Sequence, residues 1–147
     1  MIANPAAQSG AGAAAADKAA ANLRAALGED AVTVARTAGP RHACAIAEGA
    51  QGAQTVVALG GDGLIHEVVN GLMMRPAGDC PQLGVIPVGS GNDYARTLGV
   101  PAKVDRACDL LLSASSQPAD VGRVNGSFFA ETLSFGLDAA IALDTME

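Results

Sequence analysis

Short apolar runs alternate along this chain with longer segments in which apolar residues recur at helical spacing. Met1-Ile2-Ala3 is a strand stub, broken at once by Asn4-Pro5 and a Gly/Ser loop over Gln8–Gly12. The Ala-rich stretch from Ala13 to Leu27 has strong helix propensity, and Gly28 stands where a helix-terminating glycine is expected. Ala31 to Arg36 predicts a strand ending at Thr37, and Pro40 opens a helix running to about Ala50. Thr55–Leu59 has the apolar run of a buried strand. In Leu64–Leu72, Leu64, Val68 and Leu72 share a helical face with Ile65 and Val69, and His66, Glu67 and Asn70 fall on the other side. Leu83–Pro87 is a further strand and Val88–Asn92 a loop, with helices over Asp93–Leu98 and Pro101–Ser113.

Strand and helix in strict alternation predict an α/β fold: a mostly parallel sheet with right-handed crossovers and helices on both faces. From Pro118 the pattern changes. Asp120–Val124 and Ser127–Thr132 flank Asn125-Gly126, a strong hairpin signal. The switch divides the chain into a nucleotide-binding type of domain over 1–117 and the truncated start of a β-rich second domain over 118–147. On this reading the chain is a fragment, clipped at both ends.

Composition narrows the partners. Hydrophobic residues make up 50% and charged residues 16%, which suits a globular chain. Aromatics are only 3% with no Trp, so the core is built from small and β-branched side chains that allow close helix-on-sheet packing. A net charge of −6 argues against nucleic acid and against a polybasic membrane anchor. Cys44, Cys80 and Cys108 form no C-x-x-C pair and, with His42 and His66, no zinc-ligand pattern. Unpaired cysteines fit a reducing cytosol. No apolar stretch reaches the roughly 18 residues of a membrane span. A cytoplasmic protein is expected, without a transmembrane segment. Oligomeric state is left open, a homodimer included.

Two loops carry the candidate chemistry. Gly60-Gly61-Asp62-Gly63 links a strand to a helix. Glycines there let backbone N–H groups and the positive end of a helix dipole approach a phosphate. An aspartate in such a turn would repel the anion unless Mg²⁺ or a proton is handled there. Pro87-Val88-Gly89-Ser90-Gly91-Asn92-Asp93 follows the next strand. In a parallel sheet, loops at the carboxyl ends of neighbouring strands converge on one crevice. No G-x-x-x-x-G-K-[ST] loop and no complete G-x-G-x-x-G are present.

Gly60-Gly61-Asp62-Gly63 running into His66-Glu67-Val68-Val69-Asn70-Gly71-Leu72, followed by Gly89-Ser90-Gly91-Asn92-Asp93-Tyr94-Ala95-Arg96, resembles the catalytic domain shared by diacylglycerol, sphingosine and ceramide kinases and bacterial lipid kinases. The first motif alone also occurs in NAD kinases and phosphofructokinases; the second loop makes the match specific. The resemblance implies phosphoryl transfer from Mg-ATP to a lipid hydroxyl at a membrane surface, with peripheral membrane contact. It implies nucleotide contacts at Asn4, Thr37, Gly60, Gly61, Gly63, Leu64, Ile65, His66, Glu67, Gly89, Ser90, Gly91 and Asn92. Asp62 matches the essential catalytic aspartate, and Asp62 and Asp93 are the metal-site candidates. Leu64 and His66 look more like the sphingosine kinases, where many bacterial members carry Thr and Asn. Asp138 lies where the second domain begins, and no role is carried over to it.

Plainer readings stand beside these. Asp62 and Asp93 each open a helix and fit as caps. His66 fits a polar helix face, Glu67 and Asn70 fit ordinary surface positions, and Glu67 is one turn from Asp62. An NAD kinase-like enzyme and a non-catalytic ATP-binding module are the competing functions.

Overall fold

The computed structural model describes residues 1–76 and 78–131. Thr132, at the end of the expected hairpin, and Asp138 lie outside them. Four parallel strands, β1 (Ile2–Ala3), β2 (Ala35–Arg36), β3 (Thr55–Gly60) and β4 (Gln82–Pro87), form one sheet in the order β2-β1-β3-β4. Five helices accompany it: α1 (Ala11–Leu27), α2 (His42–Glu48), α3 (Asp62–Met73), α4 (Asp93–Thr97) and α5 (Val104–Ser113). An antiparallel hairpin, β5 (Gly122–Val124) and β6 (Ser127–Phe129), follows with Asn125-Gly126 at its turn.

β1 and most of β3 and β4 are buried, the edge strand β2 is not, and alternation along the buried strands builds two cores. Ile2, Val56, Ala58 and Val85 face α2 and α3, joining Leu64, Ile65, Val68, Val69 and Leu72. Ala3, Val57, Leu59 and Ile86 face α1 and α5, joining Ala16, Ala19, Leu23, Ala107 and Cys108. Packing, not propensity, makes α3. Its β-branched residues each cost up to about 0.7 kcal/mol against Ala in a helix. Each buried Leu, Ile or Val side chain returns about 1.5–3 kcal/mol. The helix also runs beyond the expected Leu64–Leu72, starting at Asp62 directly after the glycines.

The second strand is shorter than the sequence suggests. Glu29–Ala31 forms a single 3-10 turn, and only Ala35–Arg36 pairs with β1. The Arg24 guanidinium of α1 donates to the Val32 carbonyl at 3.0 Å, taking that group from any sheet partner. At Thr33 the ladder pattern still holds, with the amino terminus donating to the Thr33 carbonyl at 2.6 Å and the Met1 carbonyl accepting from the Ala35 N–H at 2.8 Å. β1 is itself only two residues long, because Pro5 follows it and lacks an N–H for the ladder. Gln8–Gly12 is likewise more ordered than a loop. Ala7–Gly10 makes a tight turn with Gln8 and Ser9 in the left-handed region, and α1 begins at Ala11. α5 begins at Val104, three residues after the expected Pro101.

Small residues set the helix spacing. A Cβ on Gly71 of α3 would collide with the Cys44 carbonyl oxygen of α2 and come within 2.8 Å of the Ala47 Cβ. On the other face, Asp105 of α5 accepts from Lys18 at 2.7 Å and Asn22 at 2.9 Å, both on α1. These two hydrogen bonds hold the Asp105 carboxyl below its ordinary range. A depressed acid contributes stability above its unfolded pKa and loses it as pH falls through the folded value.

Two outcomes are expected. Gly71→Ala lowers stability by about 1–3 kcal/mol, read from a denaturant titration, because backbone cannot yield as a side chain does. Asp105→Asn flattens the acid limb of the stability curve below about pH 4, where wild type loses the α1–α5 clamp.

Candidate active site

Chain order reverses at the middle of the sheet: β1 leads outward to β2 on one side, and β3 leads to β4 on the other. Connections leave in opposite directions there, opening a crevice at the carboxyl ends of β1 and β3. Asn4 leaves β1 at this point and donates its N–H to the Leu59 carbonyl of β3 at 3.1 Å. Its side chain accepts from the Ala6 N–H at 3.0 Å, turning the chain toward α1. Gly12 lets α1 close over this turn, since a Cβ there would meet the Asn4 carbonyl oxygen.

The loops after β3 and β4 touch backbone to backbone. A Cβ on Gly89 would lie 2.5 Å from the Gly61 Cα, and one on Gly61 would lie 3.2 Å from the Gly89 Cα. Gly60 is closed beneath them by the Leu64 side chain, 2.6 Å from where its Cβ would stand. Gly63 has nothing within 4 Å of its Cβ position, so it faces open space at the first turn of α3. The result is a cleft of about 360 Å³ lined by Asn4, Gln8, Gly61–Leu64 and Val88–Gly91, with Ala7 at its edge.

Asp62 does not cap its own helix; Gly61 is the cap residue and no side chain bonds the first turn. Instead its Oδ1 accepts from the Tyr94 N–H of α4 at 3.1 Å. The Asp93 Oδ1 accepts from Arg96 at 2.6 Å, and Arg96 also donates to the Gly91 carbonyl at 2.8 Å. The other carboxylate oxygens both face the Gly91 main chain: the Oδ2 atoms of Asp62 and Asp93 lie 3.0 and 3.2 Å from where a Gly91 Cβ would be. Carboxylate oxygens are the hard donors that Mg²⁺ takes, and Asp62 and Asp93 are the residues here that could supply them.

Partial desolvation and then the negative charges of Asp62 and Asp93 raise the Glu131 carboxyl above its ordinary value, against the pull of Arg96. Burial, then Glu131, push the Tyr94 hydroxyl up as well. The rim is therefore acidic.

The other expected contacts divide. Ser90 lines the cleft and is exposed. Asn92 sits behind the second loop in the left-handed region, its side chain donating to the Gly89 carbonyl at 2.7 Å. Thr37 ends β2 at the same rim, anchored through its N–H to the Ala3 carbonyl at 2.9 Å, but does not line the cleft. Ile65 is buried in the α2–α3 core. His66 is exposed and lies beside Asn70, with 3.4 Å between Nε2 and the amide nitrogen. Glu67 turns to α2, accepting from the Arg41 and Ala43 N–H groups at 2.8 and 3.1 Å. Neither His66, Glu67 nor Ile65 reaches the cleft. Gln8 was not expected there. Its amide crosses to donate to the Gly89 carbonyl at 2.7 Å, and no spacing rule connects residues so far apart in sequence.

The diacylglycerol kinase catalytic domain model matches residues 1–124. The chain belongs to this family. It is 49% identical over 75 residues to a diacylglycerol kinase of Bacillus subtilis (strain 168), covering 50% of this chain and 24% of that protein. It is 36% identical over 90 residues to a diacylglycerol kinase of Staphylococcus aureus (strain JH9), covering 61% and 28%. The crystal structure of a diacylglycerol kinase from Bacillus anthracis str. Sterne superposes with a TM-score of 0.77 at 32% identity, over 87% of this chain and 44% of that one. The chain thus spans about a quarter of the length of these curated relatives. Likeness to that structure agrees with the four-stranded parallel sheet flanked by helices.

Gly89→Ala is expected to push the two loops apart and to weaken ATP binding about tenfold or more, while the melting temperature moves by only a few degrees. Titration calorimetry with ATP and Mg²⁺ reads the first and a thermal melt the second.

Proposed function

We propose that this domain transfers the γ-phosphate of ATP to a lipid hydroxyl, as a diacylglycerol kinase-like enzyme using Mg²⁺. The observation that carries the reading is the pairing of Asp62 and Asp93 at Gly91, on a cleft walled by the backbones of Gly61, Gly63 and Gly89. Residues 1–117 would form the nucleotide-binding catalytic domain, and the hairpin would begin the second domain that completes the lipid site.

Each part has a task. The Gly61, Gly63 and Gly89 backbones admit phosphate oxygens at van der Waals distance from the main chain, where a side chain would keep them out. The amino-terminal turn of α3 adds its unpaired N–H groups and dipole. Asp62 and Asp93 are the residues that would hold Mg²⁺, which when bound supplies positive charge to the phosphates. An acidic rim without that cation would repel ATP. Asp62, which accepts from the Tyr94 N–H, would also orient the acceptor hydroxyl and take its proton. The new bond joins the acceptor oxygen to the γ-phosphorus, the β–γ bridge breaks, and ADP leaves. Positioning and electrostatic stabilisation account for most of such a rate. Arg96 is engaged with Asp93 and Gly91, so it braces the second loop instead of clamping phosphate.

The acceptor is proposed to come from a membrane surface. No helix among the described residues is long and apolar enough to cross a membrane. Docking at that surface from the cytoplasm fits a lipid substrate.

Transfer of labelled γ-phosphate from Mg-ATP to diacylglycerol, sphingosine, ceramide and NAD in parallel tests the proposal. Label in one lipid, reduced about 10²–10⁴-fold by Asp62→Asn, is the expected result. Label in NAD alone, or full activity of Asp62→Asn, overturns it.

A further inference from the structure

The Gly89 carbonyl, on the wall of the cleft, receives two side-chain amides at once. Gln8 Nε2 donates to it from the turn after β1 at 2.7 Å, and Asn92 Nδ2 donates from the end of the same loop at 2.7 Å. A carbonyl oxygen has two lone pairs, and two donors fill them. Asn92 makes its bond at a cost. Its Oδ1 is buried with no hydrogen-bond partner among the described residues, and an orphaned buried acceptor is destabilising. The opposite amide orientation would set that oxygen against the carbonyl, so the Gly89 carbonyl dictates which way Asn92 faces.

Gln8 is also held at a cost. Its backbone is left-handed (φ 47°, ψ 54°), as is that of Ser9 (φ 56°, ψ 34°), a region that disfavours residues with a Cβ. Glycine or asparagine would sit there more easily. Neither would span the cleft, since glycine has no side chain and asparagine is one methylene shorter. Strain at a cleft residue that bonds the opposite loop points to a task for that bond.

A phosphate in the cleft would feel the bond in two ways. A bare carbonyl dipole on the wall would oppose an anion, and two N–H donors on its oxygen offset that opposition. The planar trans peptide also ties this carbonyl to the Ser90 N–H, so pinning one pins the other. Ser90 lines the cleft, and its N–H has no acceptor among the described residues.

We infer that Gln8 is a positioning residue for the phosphates of a nucleotide. By bonding the Gly89 carbonyl across the cleft it fixes, together with Asn92, the peptide that offers the Ser90 N–H to a phosphate oxygen. This rests on the nucleotide-binding part of the function proposed above.

Binding, melting and NMR on the purified protein test it. Gln8→Gly and Gln8→Asn each weaken ATP with Mg²⁺ about three- to tenfold by titration calorimetry, the loss of one hydrogen bond. Their melting temperatures stay within a few degrees of wild type or rise, because both residues accept the left-handed backbone. A merely structural role would instead lower affinity and stability together. In ¹H–¹⁵N spectra, ATP moves the Ser90 amide of wild type. Both substitutions move it in the free protein as well, because the carbonyl of its peptide has lost a donor. Unchanged Kd in both variants overturns the inference, as does weakening in only one of them. So does a loss of affinity matched by a larger fall in melting temperature, or a Ser90 amide that ATP leaves in place. If wild type binds ATP and labels no acceptor, the kinase reading fails, and the Kd ratios still decide the role of Gln8. If wild type binds no ATP, both are overturned.

Discussion

The contact between Gly61 and Gly89 is the constraint on which the rest of the site depends. Two loops from neighbouring parallel strands are brought to backbone contact, with no room for a Cβ on Gly89. That closeness lets Asp62 on one loop take a hydrogen bond from Tyr94, just beyond the other. It also lets Gln8 reach the Gly89 carbonyl from the turn after β1. The sheet makes it possible: β3 and β4 pair in parallel along six residues each and end level, with Gly60 opposite Pro87. Strands of unequal length would have separated the loops and left two half-sites.

Charge completes the logic. Phosphate is drawn by the helix terminus and the exposed amides, yet Asp62, Asp93 and Glu131 oppose it. At contact range, opposing unit charges in a partly dehydrated cleft weigh several kcal/mol, more than a helix terminus supplies. On the proposed function, anion binding would wait for a cation, with Asp62 and Asp93 the residues to hold it. A cleft of that kind would favour the magnesium complex over free nucleotide.

What the sequence disclosed follows from how local each determinant is. The strand–glycine–helix unit at 55–72 is written in adjacent residues, and the structure follows it closely. The Asn125-Gly126 hairpin is equally local, and Asn125 and Gly126 both adopt positive φ there. The stretch from Ala31 to Arg36 pairs over only its last two residues, because its β propensity competes with a contact made elsewhere: Arg24 claims the Val32 carbonyl. Gln8 at the cleft and Asn70 at the hairpin were illegible in the sequence because each is defined by a partner distant along the chain. Glu67 shows the converse. Its place in a motif suggested the cleft, but helical geometry turns position 67 toward α2, where two orphan N–H groups of that helix need an acceptor.

Seen from α3, these long-range contacts have a common purpose. The helix begins at Asp62, offers Glu67 to the amino terminus of α2 and offers Asn70 to β6. Gly71, the next residue, allows α2 to approach until the Cys44 carbonyl stands where a Cβ would be. Three polar side chains on the solvent side of an apolar helix thereby reach three different elements: α4, α2 and the hairpin. A helix fixed at so many points cannot tilt without breaking a buried core or several of these bonds. The carboxylate at its first turn is consequently held to the fold as a whole, which is what the role proposed for Asp62 would require if its aim is to survive the arrival of a large, charged substrate.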